Sequence, residues 1–139
     1  MLEKNIVSKK IFLFILPYIF LYAIYIQING EISPGGGFQA GVIFASSLIA
    51  LDLIYGRSKF HEYFPMNLLI SLAVIGVFIY LSVGFISLIF ADNYLNYYSL
   101  YLDNHLAQKM GIFTIEIGVG ITVASVMTII YSLFQEKFE

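Results

Sequence analysis

Glu116 is the residue best placed to do chemistry: it stands about one turn into an apolar run covering residues 112–134, flanked by Thr114, Gly118, Gly120 and Thr122. A carboxylate is expensive in hydrocarbon, so it faces protein or water and marks an ion or proton path, or it accepts hydrogen bonds that fix helix packing. Both readings stand on the residues alone. Lys109 lies seven residues earlier and shares a face with Glu116 if the helix starts that early, which makes an ion pair available. Asp52 is a weaker ion-handling candidate, near the end of another apolar run, one turn from Tyr55 and close to Arg57. His61 and His105 both fall outside the apolar runs, in expected loops, which argues against haem held between spans, and neither has metal-ligand spacing. With no cysteine in the chain, thiolate metal sites, iron–sulfur ligation, disulfides and cysteine nucleophiles are excluded. No nucleophile–base pair is visible, so an enzyme acting by itself is not expected, and neither is a cofactor or a metal.

A second feature, Gly30-Glu31-Ile32-Ser33-Pro34-Gly35-Gly36-Gly37-Phe38-Gln39-Ala40-Gly41, links two apolar runs. Glycine costs roughly 1 kcal/mol per helical residue relative to alanine, so three in a row carry a penalty of about 3 kcal/mol that close approach of another group must offset. Ser33 and Pro34 read as an N-cap and first helical residue. The loop lacks the Lys-Ser/Thr of a phosphate-binding P-loop and the strand context of a dinucleotide fingerprint.

The elements that position these residues are membrane spans. Of 139 residues, 60% are hydrophobic and 12% charged, and the mean hydropathy is +0.87. Runs over 11–28, 38–55, 66–91 and 112–134 approach the roughly 20 residues that cross a bilayer. The first two reach full length if one begins near Val7 and the other takes in the glycines; the third is long enough to tilt. The expected fold is therefore all-α, one four-helix membrane domain over residues 1–139. Small residues at four-residue steps, Gly37, Gly41 and Ala45, then Gly120, Ala124 and Thr128, suit close helix contact, and Gly76 and Gly84 allow the same or a bend. In the connection 92–110, Tyr94, Tyr97, Tyr98 and Tyr101 recur at helical spacing, which predicts a short interfacial helix more readily than an aromatic quinone site. The basic N-terminus is not a signal peptide, because no small-x-small cleavage site follows the first run.

Of seven Lys and Arg residues, only Lys109 falls on one side of this arrangement. Lys4, Lys9, Lys10, Arg57, Lys59 and Lys137 fall on the other, which puts both termini in the cytoplasm. A net charge of −2 and the absence of a basic cluster give no sign of nucleic acid.

The pattern Gly30-x-x-x-Pro34-Gly35-Gly36-Gly37-Phe38-x-x-Gly41 resembles the signature of the B-type subunits of the multisubunit Mrp-type cation/proton antiporters, which reads Gly-His-x-x-Pro-Gly-Gly-Gly-Phe-x-x-Gly. The segment Phe113-Thr114-Ile115-Glu116-Ile117-Gly118 is similar to that family's Thr-x-x-Glu-Leu/Ile-Gly, with Phe113 at the threonine position, so the resemblance carries the family's glutamate onto Glu116. It implies a non-catalytic subunit in a prokaryotic plasma membrane, with other membrane subunits as partners and Na+ and H+ as transported ions. The alternative it leaves open is the similar membrane-arm subunit of ion-translocating hydrogenases and other complex I-related redox complexes. A haem-bearing anchor and a small drug exporter fit less well, the latter because its essential glutamate belongs in the first span. Glu31 stands where the family usually has histidine, and Ala40 replaces a frequent glycine. The first change exchanges a group that titrates near neutral pH for one ordinarily ionised there.

Overall fold

Inside a bilayer each peptide group must be bonded within its own segment, so long apolar runs close into helices. The computed structural model describes residues 6–30, 35–89, 93–96 and 104–138. It contains α1 (Ile6–Ile28), α2 (Gly37–Tyr55), α3 (Arg57–Tyr63), α4 (Met66–Ile89) and α5 (Asn104–Phe138). All but α3 are long and apolar enough to cross a membrane. The spans alternate in direction, so α2 and α5 run parallel to each other and antiparallel to α1 and α4.

Gly56 separates α2 from α3 at φ 84°, a conformation that favours glycine, while its N–H donates to the Asp52 carbonyl at 2.8 Å. Pro65 separates α3 from α4, and its carbonyl accepts the N–H of Leu68 at 2.9 Å. Pro17 sits inside α1, a position membrane helices tolerate because neighbouring groups restore the lost bond.

Helix α5 is the centre of the bundle, packed against α2 and α4, while α1 packs chiefly on α2 and touches α5 more lightly. Lipid tails are as apolar as leucine, so helix contact here depends on close packing. Glycine supplies it. A Cβ on Gly41 would stand 2.7 Å from the Gly120 carbonyl oxygen and 2.9 Å from Val123 Cβ, and one on Gly118 would stand 2.8 Å from the Gly76 carbonyl. Thr122 Oγ1 donates to the Gly118 carbonyl at 2.9 Å and reaches the Ala73 carbonyl of α4 at 3.4 Å. Phe20 of α1 meets Phe44 of α2 edge-on, centroids 4.8 Å apart.

Several expectations need correction. Helix α2 starts at Gly37 with Gly36 as its N-cap and no side-chain cap bond, so the helix takes in only one of the three consecutive glycines; Ser33 and Pro34 lie outside the described residues. Helix α5 begins at Asn104, eight residues before the apolar run, which places His105 and Lys109 in a helix and not in a loop. His61 likewise belongs to α3, a helix absent from the sequence reading. Residues 93–96 form a turn, closed by Asn96 N–H to the Asn93 carbonyl at 3.0 Å and held by Ser87 Oγ, which donates to the Asn96 carbonyl at 3.0 Å. The Tyr94 ring lies where a side chain on Gly84 would be. Tyr97, Tyr98 and Tyr101, on which the interfacial helix rested, lie outside the described residues.

Candidate functional site

The glycine loop and Glu116, some eighty residues apart in the chain, meet. A Cβ on Gly30 would stand 2.8 Å from Glu116 Oε2 and 3.1 Å from Oε1, and one on Gly36 would stand 3.0 Å from Oε1. The peptide of Glu116 is in contact too: a Cβ on Gly37 would overlap its carbonyl oxygen and stand 2.7 Å from the carbonyl carbon. Gly30, after the end of α1, and Gly36, before α2, therefore cradle the carboxylate, and the first residue of α2 packs on the backbone that carries it. Any side chain at Gly30 or Gly36 would displace the carboxylate; any at Gly37 would push the helices apart.

The cradle is polar through its backbone. The first turn of α2 has N–H groups with no partner inside the helix, and the positive end of its dipole attracts a carboxylate. Glu116 itself is half-buried, which fits a group able to exchange a proton or cation at the loop end of the bundle. Gly35 packs on Ile26, its Cβ position 3.0 Å from Ile26 Cγ2. Phe38 turns away and is exposed. Pro34 and Glu31 lie outside the described residues. Lys109 is exposed and on the same helix as Glu116, about two turns earlier.

Residues 7–129 match the family described as the domain related to the MnhB subunit of Na+/H+ antiporter. The chain belongs to that family. The B-type subunit of the Na+/H+ antiporter of Bacillus subtilis is 29% identical over 123 residues, covering 86% of this chain and 85% of that protein. The corresponding antiporter subunit of Alkalihalophilus pseudofirmus is 28% identical over 135 residues, covering 86% of this chain and 93% of its own. A putative antiporter subunit mnhB2 of Staphylococcus haemolyticus is 25% identical over 133 residues, covering 94% of both.

In this MnhB-related chain Asp52 is not part of the Glu116 site. It lies fifteen residues beyond Gly37 along α2, about 22 Å of helix rise, and is 1% exposed. Arg57, five residues further along, donates from Nη2 to Glu136 at 3.2 Å. Among the described residues no group of three His, Asp or Glu side chains is arranged to hold a metal ion.

Sequence reading missed Gln27, Ser132 and Gln135. Gln27 Oε1 borders Gly120, 2.9 Å from where its Cβ would be, and Gln27 Nε2 is buried with no hydrogen-bond partner among the described residues. It faces an apolar cavity of about 460 Å³ walled in part by Phe20, Phe44, Leu48, Leu72 and Ile121. A lone amide late in an apolar run was the available signal.

Proposed function

We propose that this protein is a membrane subunit of a multisubunit Na+/H+ antiporter and that its glycine loop holds the Glu116 carboxylate on the path of the exchanged ions. The observation that carries the reading is how little room the glycines leave beside the carboxylate: a Cβ on Gly30 would stand 2.8 Å and 3.1 Å from its two oxygens, and one on Gly36 would stand 3.0 Å from Oε1. Residues without side chains border the carboxylate on that side, which leaves it within reach of a proton or a small cation. Membership of the MnhB-related family supports the transport role, and nothing in that match or in the relatives favours the hydrogenase arm. The other antiporter subunits are the partners, since the acidic groups Glu116 and Asp52 are too few for a complete relay and cation site. Lys109, on the same helix and close to that end, supplies a positive charge near the entrance to the site. The subunit lies in a prokaryotic plasma membrane, with the α3 end in the cytoplasm and the glycine loop outside, because five of the six basic residues among the described ones lie towards the α3 end.

The test is a pair of substitutions in the whole complex. Glu116→Gln keeps shape and hydrogen bonding but cannot titrate; Glu116→Asp titrates but is one methylene shorter. Gln should abolish Na+/H+ exchange in membrane vesicles while the complex still assembles, and Asp should retain part of it. Normal exchange by an assembled Glu116→Gln complex would remove the ion-handling role and leave a scaffold.

A further inference from the structure

We propose that the cavity between α3 and the last turn of α2 binds one anionic phospholipid of the adjoining membrane leaflet, its phosphodiester held by Lys59 and, beside the Tyr55 ring, by Lys9.

Local structure builds this site. The turn at Gly56 ends α2, and Phe60, 3% exposed, anchors α3 to the bundle while its N–H donates to the Gly56 carbonyl at 3.1 Å. Lys59, Glu62 and Tyr63 are three and four residues apart, so they share one face of the short helix. With Leu51, Tyr55 and Phe60 they line a cavity of about 470 Å³. Helix α1 adds a second ammonium: Lys9 Nζ stands 5.1 Å from the centroid of the Tyr55 ring, a cation–π contact. Neither Lys9 nor Lys59 forms an ion pair among the described residues, whereas Arg57 bonds Glu136 and does not line the cavity.

Charge and position set the occupant. Two ammonium groups, Lys9 and Lys59, less the carboxylate of Glu62 leave one positive charge. A phosphodiester carries one negative charge and matches it. A free phosphate monoester carries about −1.5 to −2 and would face Glu62 with charge to spare. The site also stands at the boundary of a span, since Tyr55 is the last residue of α2 and Tyr63 the last of α3, 41% and 76% exposed. Tyrosines at headgroup depth keep an apolar ring and a wet hydroxyl, and Leu51 and Phe60 give the same cavity an apolar wall for the glycerol and the first methylenes of an acyl chain. An acidic protein segment would match the charge but not that wall. Basic pockets at the cytoplasmic boundary of helix bundles hold anionic headgroups in this way.

The purified complex in lipid nanodiscs tests this. Phosphatidylglycerol replaces phosphatidylcholine stepwise, exposed amines are acetylated, and peptide mass gives the modification of Lys59 relative to Lys137, an exposed lysine in the last turn of α5 at the same end. Phosphatidylglycerol should protect Lys59 in a saturable way. Lys9→Gln should raise the half-protecting mole fraction about fivefold, as expected for one basic residue beside an anionic lipid; Tyr55→Leu, which removes the ring under Lys9, should raise it by a smaller factor. Protection should persist in Glu116→Gln, because the site rests on the four spans and not on the ion path. Lys59 reactivity that ignores phosphatidylglycerol, or that falls only in step with Lys137, would overturn the proposal. Protection by glycerol 3-phosphate in phosphatidylcholine nanodiscs would overturn it in favour of a free phosphate site, and a Lys59 already unreactive in phosphatidylcholine alone would do so in favour of an acidic segment of a neighbouring subunit. If Lys9→Gln fails to assemble, Tyr55→Leu decides: an unchanged half-protecting fraction overturns the site.

Discussion

Replacing Gly41 by alanine measures how much the seam between α2 and α5 depends on bare backbone. The new methyl would stand 2.7 Å from the Gly120 carbonyl oxygen, where ordinary contact begins at 3.4 Å, so the helices must part by about 0.7 Å. That oxygen is backbone and no rotamer relieves the overlap. Overpacking of this kind costs about 1–3 kcal/mol, against a helix-propensity gain of about 1 kcal/mol, which leaves a net loss of about 0–2 kcal/mol. Gly120→Ala is the internal control. Its nearest neighbour is the Gln27 amide oxygen at 2.9 Å, the end of a flexible side chain, and the next is the Gly37 carbonyl at 3.3 Å. Gly120→Ala keeps the propensity gain and avoids most of the overlap, so the two variants should differ by about 1–3 kcal/mol, roughly 5- to 150-fold in the ratio of docked to undocked subunit. The assay is the fraction of chain retained in detergent-purified complex after graded heating, read by size exclusion. Gly41→Val should exceed both losses. Equal retention of Gly41→Ala and Gly120→Ala, or normal retention of Gly41→Val, would refute close backbone packing as the source of the seam.

In the cradle, Gly36→Val should block stable incorporation into the complex, because its Cβ alone stands 3.0 Å from Glu116 Oε1; Gly36→Ala should be milder, and salt-resistant growth of cells carrying the valine variant would show the loop to be a spacer. Single cysteines at Ser33 and Asn96 should react with an impermeant thiol reagent in intact cells, and one at Ser58 only after permeabilisation; the opposite pattern would reverse the orientation. Glu136→Gln should change thermal retention of the subunit by under about 1 kcal/mol, the usual worth of an exposed ion pair, since Glu136 is 65% exposed; a larger loss would mean that this end is held by charge.

Four spans and the two features that meet at the site were legible in the residues; their meeting was not. Hydropathy identifies what touches lipid, and so it found the runs but placed the start of α5 eight residues late. The stretch Asn104-His105-Leu106-Ala107-Gln108-Lys109-Met110 is helical but polar enough to fall below any apolar threshold. Helix α3 escaped for the same reason, being seven residues rich in charge. Glycine spacing pointed to close contact without saying with what, since Gly37 and Glu116 are joined only through two intervening spans. Ser132 and Gln135 look ordinary in sequence, and only the burial of Ser132 Oγ and Gln135 Oε1 without a hydrogen-bond partner among the described residues sets them apart.

The contact between Gly37 and the peptide of Glu116 also bears on timing. With its backbone clamped against α2, Glu116 keeps only the rotatable bonds of its side chain. A change of partner at the carboxylate is then a local side-chain rotation about those bonds, and not a collective helix movement in microseconds to milliseconds.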